Sequence, residues 1–197
     1  MIDYNKDAEG IVTLTLNNSN KSANVINTAF GEALRNTVAK LQQEKDSITG
    51  IIITSAKETF MAGADIDEMF AETEAKYFFE RAEQLKAAFR YIETQGKPVV
   101  AAINGTALGG GFEVTLACHY RIAIDSPKLL LGFPEVTLGL LPGAGGVTRL
   151  VRMVGLQPAL PYLTEGKKVN PKEALADGLI HELAKDKEEL IAKATAW

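Results

Sequence analysis

The sequence predicts an α/β or mixed layered domain rather than a helical bundle, and three observations carry that prediction. Short apolar runs of strand length recur at 11–17, 50–54, 97–103 and 120–124. Between them lie stretches with apolar residues at helical spacing, the clearest marked by Phe30, Leu34, Val38 and Leu41. At 104–120, NGTALGGGFEVTLACHY, the chain passes from a buried strand through a glycine turn into a helix.

Each element follows from its residues. IVTLTLN alternates Val12, Leu14 and Leu16 on one face with Ile11, Thr13 and Thr15 on the other, as a half-buried strand does. A polar loop follows, and Asn27 is placed to cap the helix carrying Phe30 to Leu41. GIIIT at 50–54 is the second strand, and the loop MAGADI at 61–66 leads into a helix from Asp67. Residues 72–95 form a long amphipathic helix whose Phe78, Leu85, Phe89 and Ile92 face a core. Gly96-Lys97-Pro98 ends it and opens the buried strand KPVVAAI; a further short strand runs over 120–124. Downstream, a strand end and glycine turns precede a helix over 144–154. Another begins at Pro171 and stops at Gly178, and DKEELIAKATAW is still helical where the sequence stops, which predicts that the domain continues.

The glycine turn is the stretch with chemistry in it. Gly109 to Gly111 let the backbone come close to a bound atom, and the helix that follows offers free N–H groups and the positive end of its dipole to a developing negative charge. Glu113 stands one turn further in. On this stretch alone a second reading stands beside the first, in which the glycines only allow close helix–strand packing and Glu113 is a solvated acid.

Composition narrows the field. With 197 residues, 46% hydrophobic and 23% charged, the chain fits one globular domain with a substantial core. A net charge of −4 leaves no basic footprint for nucleic acid or an anionic membrane. No run approaches the length of a membrane span, and the polar start has no signal-like apolar core. A lone cysteine, Cys118, excludes an intrachain disulfide and fits a reducing cytoplasm, the expected location.

Several familiar motifs fail. Gly143-Ala144-Gly145-Gly146 lacks the following Gly-Lys-Ser/Thr of a phosphate loop, and neither glycine cluster has the third glycine or the later acid of a dinucleotide site. His119 and His181 are too few and too far apart for a metal site and read as structural or surface residues. No serine sits in a nucleophile elbow, and Cys118 reads as a small core residue.

Taken together, GGGFE at 109–113, MAGADI at 61–66 and GFPEVTLGLLPGAGGVTRL at 132–150 resemble, in this order and spacing, the crotonase (enoyl-CoA hydratase/isomerase) superfamily. Within it the chain is most similar to the N-terminal hydratase domain of the multifunctional fatty acid oxidation complex α subunit, through Pro134-Glu135-Val136 and the LGLLPGAGG that follows. The resemblance implies the ClpP/crotonase fold, a spiral of ββα units, over 1–197, with the C-terminal helices of the family lying beyond Trp197 in a longer chain. It also implies hydration of a 2-trans-enoyl-CoA thioester to the 3-hydroxyacyl-CoA.

The oxyanion-hole N–H groups map onto Ala64 and Gly110, and the two catalytic carboxylates onto Glu113, as activator of water, and Glu135, as proton donor to the α-carbon. Coenzyme A contacts map onto Ala23, Ala62 and Ile66. No separate cofactor is implied; NAD belongs to a dehydrogenase part downstream. The implied partners are the acyl-CoA substrate and, in a full-length protein, a homo-oligomer or a thiolase subunit. Two alternatives stay open, a Δ3,Δ2-enoyl-CoA isomerase and a non-catalytic acyl-CoA-binding or assembly module. His119 departs from the acidic residue many relatives carry at its position.

Overall fold

The computed structural model describes residues 1–197. Six strands form the main sheet in the order β1 (Ile2–Lys6), β2 (Ile11–Leu16), β3 (Gly50–Ser55), β4 (Val99–Ile103), β6 (Tyr120–Ile124) and β9 (Glu182–Ala184). Only β1–β2 pair antiparallel, as a hairpin; every other neighbour is parallel and joined by a crossover. Three two-residue strands, β5 (Ala107–Leu108), β7 (Leu131–Gly132) and β8 (Lys168–Val169), make a second, small sheet.

The helices are α1 (Thr28–Gln43), α2 (Ile66–Ala71), α3 (Ala75–Thr94), α4 (Gly110–Leu116), α5 (Gly146–Val154), α6 (Leu156–Thr164), α7 (Pro171–Ala176) and α8 (Lys187–Ala196). The Asn27 side chain caps α1 by accepting from Phe30 N at 2.9 Å, as the sequence predicts. Asn170 and Glu173 close a capping box on α7, with Pro171 in its first turn.

The two faces of the main sheet divide the core. Ile51, Ile53, Val99, Ala101 and Ile103 join the large cluster that takes in Phe30, Leu34, Phe89 and Phe112. Ile52, Val100, Ala102 and Ile122 face the other way, onto Leu190 and Ala194 of α8. This explains the unbroken apolar runs of β3 and β4, because a parallel strand covered on both faces has no side left for polar residues.

Four features differ from the sequence reading. The polar-looking start is strand β1, held by its pairing with β2 despite alternating exposure. The very short strands β5 and β8, strand β9 and helix α6 have too little periodic sequence to announce themselves, whereas β7 is the strand end expected ahead of the glycine turns. Helix α4 stops at Leu116, so Cys118 lies just past it, buried with its thiol pushed up to about 12 by burial. In α3, Phe89 and Ile92 are buried, whereas Phe78 and Leu85 are only half-buried.

Candidate active site

The small sheet brings the two glutamates together. In it, Leu108 pairs with Gly132, and Gly109 N–H donates to Gly132 O at 2.9 Å. Five residues beyond Leu108 is Glu113, in the first turn of α4; three beyond Gly132 is Glu135, which opens a 3₁₀ turn over Glu135–Leu138. The side chains converge over the glycine turn. A Cβ placed on Gly109 would stand 2.8 Å from Glu135 Oε1, and one on Gly110 would stand 3.8 Å from Glu113 Oε2. Gly109 also has φ +54, so both its backbone and the carboxyl above it require a residue without a side chain.

Glu113 is 2% exposed, which removes the reading of it as a solvated acid. Its Oε1 accepts from Ala144 N–H at 2.8 Å and from Gly146 N–H at 2.7 Å. The glycine-rich turn that fails as a phosphate loop therefore holds a carboxyl group of its own chain instead. Nothing in the local pattern of 143–146 identifies that partner. Gly146 is needed for space, because a Cβ there would lie 2.8 Å from Glu113 Cγ and 2.8 Å from Phe133 Cζ. Burial raises the Glu113 pKa, and the two N–H donors and the charge of Arg149 offset only part of that rise.

Glu135 contrasts with it. Its Oε2 is buried and has no hydrogen-bond partner. Burial first, and the neighbouring Glu113 charge second, push its pKa up to about 7. One carboxyl is thus locked by two donors, while the other is left with an uncommitted oxygen and titrates near neutrality. Such a pair suits opposed acid and base roles.

Across from them runs the 61–65 loop. Met61 N–H donates to Thr106 O and Leu108 N–H to Met61 O, both at 3.1 Å, in the bridge Met61↔Ala107. On its other side Ile26 N–H donates to Gly63 O at 2.8 Å and Asp65 N–H to Ile26 O at 2.9 Å, in the bridge Ile26↔Ala64. The Gly63–Ala64 peptide is planar and trans, so with its C=O aimed at Ile26 its N–H points the opposite way, towards 107–110. That N–H donates to no group of the chain. Gly110, the first residue of α4, has an N–H with no helical acceptor.

The remaining sequence-mapped residues border this site. Ala62 and Ile66 are exposed and Ala23 is half-buried. What the sequence reading missed is the buried amide of Asn24. Its Oδ1 accepts from Asn18 N–H at 2.9 Å, and its Nδ2 lies within 3.1 Å of Leu16 O, Phe60 O and Ser55 Oγ. Asn24 O also accepts from Ala62 N–H at 2.9 Å, so one residue ties the 22–26 loop to the 60–64 loop. A short polar side chain inside a polar loop gives no signal in sequence of such burial. His119 and His181 are structural, accepting from Val99 N–H and Arg121 N–H respectively.

Comparison with known proteins gives this geometry a family. The family model described as enoyl-CoA hydratase/isomerase matches residues 6–197. The chain belongs to the enoyl-CoA hydratase/isomerase family. An enoyl-CoA hydratase from Bacillus anthracis is 34% identical, with a TM-score of 0.89 over 99% of this chain and 74% of that one. An enoyl-CoA hydratase from Thermoplasma volcanium is 28% identical, with a TM-score of 0.89 over 99% and 76%. The expected crotonase-type α/β fold is therefore the observed one. Among curated relatives, the fatty acid oxidation complex subunit alpha of Shewanella baltica is 41% identical over 176 residues, which is 89% of this chain and 25% of that protein. The chain thus spans about a quarter of the length of the curated relatives it matches. No helix of the chain is long and apolar enough to cross a membrane.

Proposed function

We propose that the chain hydrates 2-trans-enoyl-CoA thioesters to 3-hydroxyacyl-CoA, as a step of fatty acid β-oxidation. The supporting observation is the convergence of two carboxyls, one locked and one titrating near neutrality, over a turn that offers uncommitted N–H groups.

In this reading the Ala64 and Gly110 N–H groups take the thioester oxygen as it gains negative charge, each worth about 10²–10³ in rate. Glu113, whose Oε1 is held by Ala144 and Gly146, takes a proton from water as the oxygen bonds to the β-carbon. Glu135, protonated below about 7, gives its proton to the α-carbon. One proton leaves water and one arrives at carbon, so the acid and base exchange states and are reset through solvent. The coenzyme A part lies along Ala23 and Ala62, with Ile66 against its base; no NAD or other cofactor enters. In this reading the chain is part of the α subunit of a fatty acid oxidation complex, in keeping with the name its relatives carry, and works in the cytoplasm with a thiolase subunit or further copies as partners.

A carboxyl that takes and returns a proton near pH 7 also suits moving a double bond from Δ3 to Δ2, so the same site acting on a 3-enoyl-CoA is the second reading. The test is loss of the conjugated thioester absorbance of crotonyl-CoA and of a longer 2-enoyl-CoA, with its appearance from a 3-enoyl-CoA run in parallel. Binding of all three without turnover would leave an acyl-CoA-binding module and sink both catalytic readings.

A further inference from the structure

The 61–65 loop contains a weak link. Gly63 has φ +107, so the chain can rotate there at little steric cost, and the peptide it shares with Ala64 carries the N–H assigned above to the thioester oxygen. On the Gly63 side that peptide is held by its C=O, which accepts from Ile26 N–H. On the other side the next residue is Asp65, which is 7% exposed. Its N–H donates to Ile26 O at 2.9 Å, and its carboxylate leaves the loop to meet Lys21 Nζ at 2.5 Å. Lys21 stands in the exposed 19–22 stretch of the neighbouring loop, 42% exposed along its own side chain.

A buried carboxylate is costly unless it is paired. Asp65 is the N-cap residue of α2, a position that favours a short acidic side chain, but its carboxylate makes no capping hydrogen bond and is committed to Lys21 instead. Here the pair clamps the residue directly after Ala64 to the strand-like segment that orients the Ala64 peptide. We infer that Lys21 and Asp65 are positioning residues, whose ion pair stops the Gly63–Ala64 peptide from rotating its N–H out of the site. This inference rests on the hydratase reading given above.

The experiment compares the native chain with Asp65→Asn, Lys21→Met and Lys21→Arg. It measures kcat and KM for crotonyl-CoA, together with the infrared C=O stretch of a bound, carbonyl-labelled 2-enoyl thioester. A well-aimed N–H lowers that stretching frequency, and a misaimed one lets it return towards its value in water. Asp65→Asn and Lys21→Met should lower kcat about ten- to a hundred-fold with KM within about two-fold, and move the stretch back, because the lost interaction is strongest in the transition state. Lys21→Arg, which keeps the charge, should resemble the native chain. A purely structural pair would instead reduce the folded fraction and leave the stretch of the bound thioester unmoved, which overturns the inference. Lys21→Met, at a half-exposed site, carries the test if Asp65→Asn fails to fold. Native kcat and native stretch in both neutral variants also overturn it. A native chain that binds the thioester without hydration or a frequency shift would instead overturn the hydratase reading, and the positioning role with it.

Discussion

Two glycines three residues apart in one turn should respond in opposite ways to the same added methyl group. At Gly146 a Cβ would lie 2.8 Å from Glu113 Cγ, 2.9 Å from Glu113 Oε1 and 2.8 Å from Phe133 Cζ. All three distances are shorter than carbon tolerates, and neither neighbour has room to retreat, since Glu113 is 2% and Phe133 1% exposed. At Gly143 the nearest atom is Leu141 O at 4.0 Å, and neither glycine has a φ that excludes alanine.

Gly146→Ala must therefore push Glu113 off its N–H donors or displace Phe133 within the core, an overpacking cost of about 1–3 kcal/mol. A displacement near 1 Å at a reacting group costs roughly a hundred-fold in rate, so kcat for crotonyl-CoA should fall by about that factor. Gly143→Ala should leave kcat unchanged and alter stability by no more than about 0.4–1 kcal/mol, in the stabilising direction, through lost freedom of the unfolded chain. Thermal unfolding and the enoyl absorbance assay, run on both variants, decide the matter. Equal effects in the two, or a Gly146→Ala chain with native rate and melting temperature, would refute the claim that this turn is shaped around Glu113.

The other predictions concern the carboxyls and the loop beside them. Glu113→Gln and Glu135→Gln should each cost about 10²–10⁴ in kcat with the fold intact, measured by the same absorbance assay and circular dichroism. The native pH–rate profile should fall as pH rises through about 7, where Glu135 loses its proton, and its acid limb should lie above the usual carboxylate range because burial raises Glu113. Glu113→Gln removes one of the two causes of the Glu135 rise, so a carbon-13 NMR titration should find Glu135 lowered, yet still above about 4.5 because burial persists.

Stability should follow the same sign. Ionising Glu135 is harder in the folded chain than in the unfolded one, so its contribution is intact below about pH 4.5 and is lost as pH rises through about 7. Discounted for solvent screening of a half-buried group, the loss is roughly 1–2 kcal/mol, seen as a denaturant midpoint that declines relative to Glu135→Gln over that window. Asn24→Ala strands several buried polar groups at once and should lower stability by about 2–3 kcal/mol, read by thermal unfolding, and loosen the 60–64 loop.

Much of the architecture was legible in one dimension because its causes are periodic and local. The alternation of Val12, Leu14 and Leu16, the helical spacing of Phe30, Leu34 and Leu41, and the cap at Asn27 each act over a few residues, and all appear in the fold. The three motifs around Ala64, Glu113 and Glu135 were legible as a resemblance, because their order and spacing survive in the sequence. Other features depend on distant partners. Strand β1 exists through its pairing with β2, and β5 and β7 are two residues each, too short for any period, yet their register sets Glu113 and Glu135 over one turn. Whether Glu113 was solvated or buried could not be read from its helix position, since its donors come from Ala144 and Gly146, more than 30 residues away. The same holds for the rise of Glu135 to about 7, which needs both burial and a neighbouring charge from another element. Sequence determined the elements and the residue types available for chemistry. Tertiary structure decided their protonation, exposure and aim, because desolvation and Coulomb interactions depend on distance in space rather than separation along the chain.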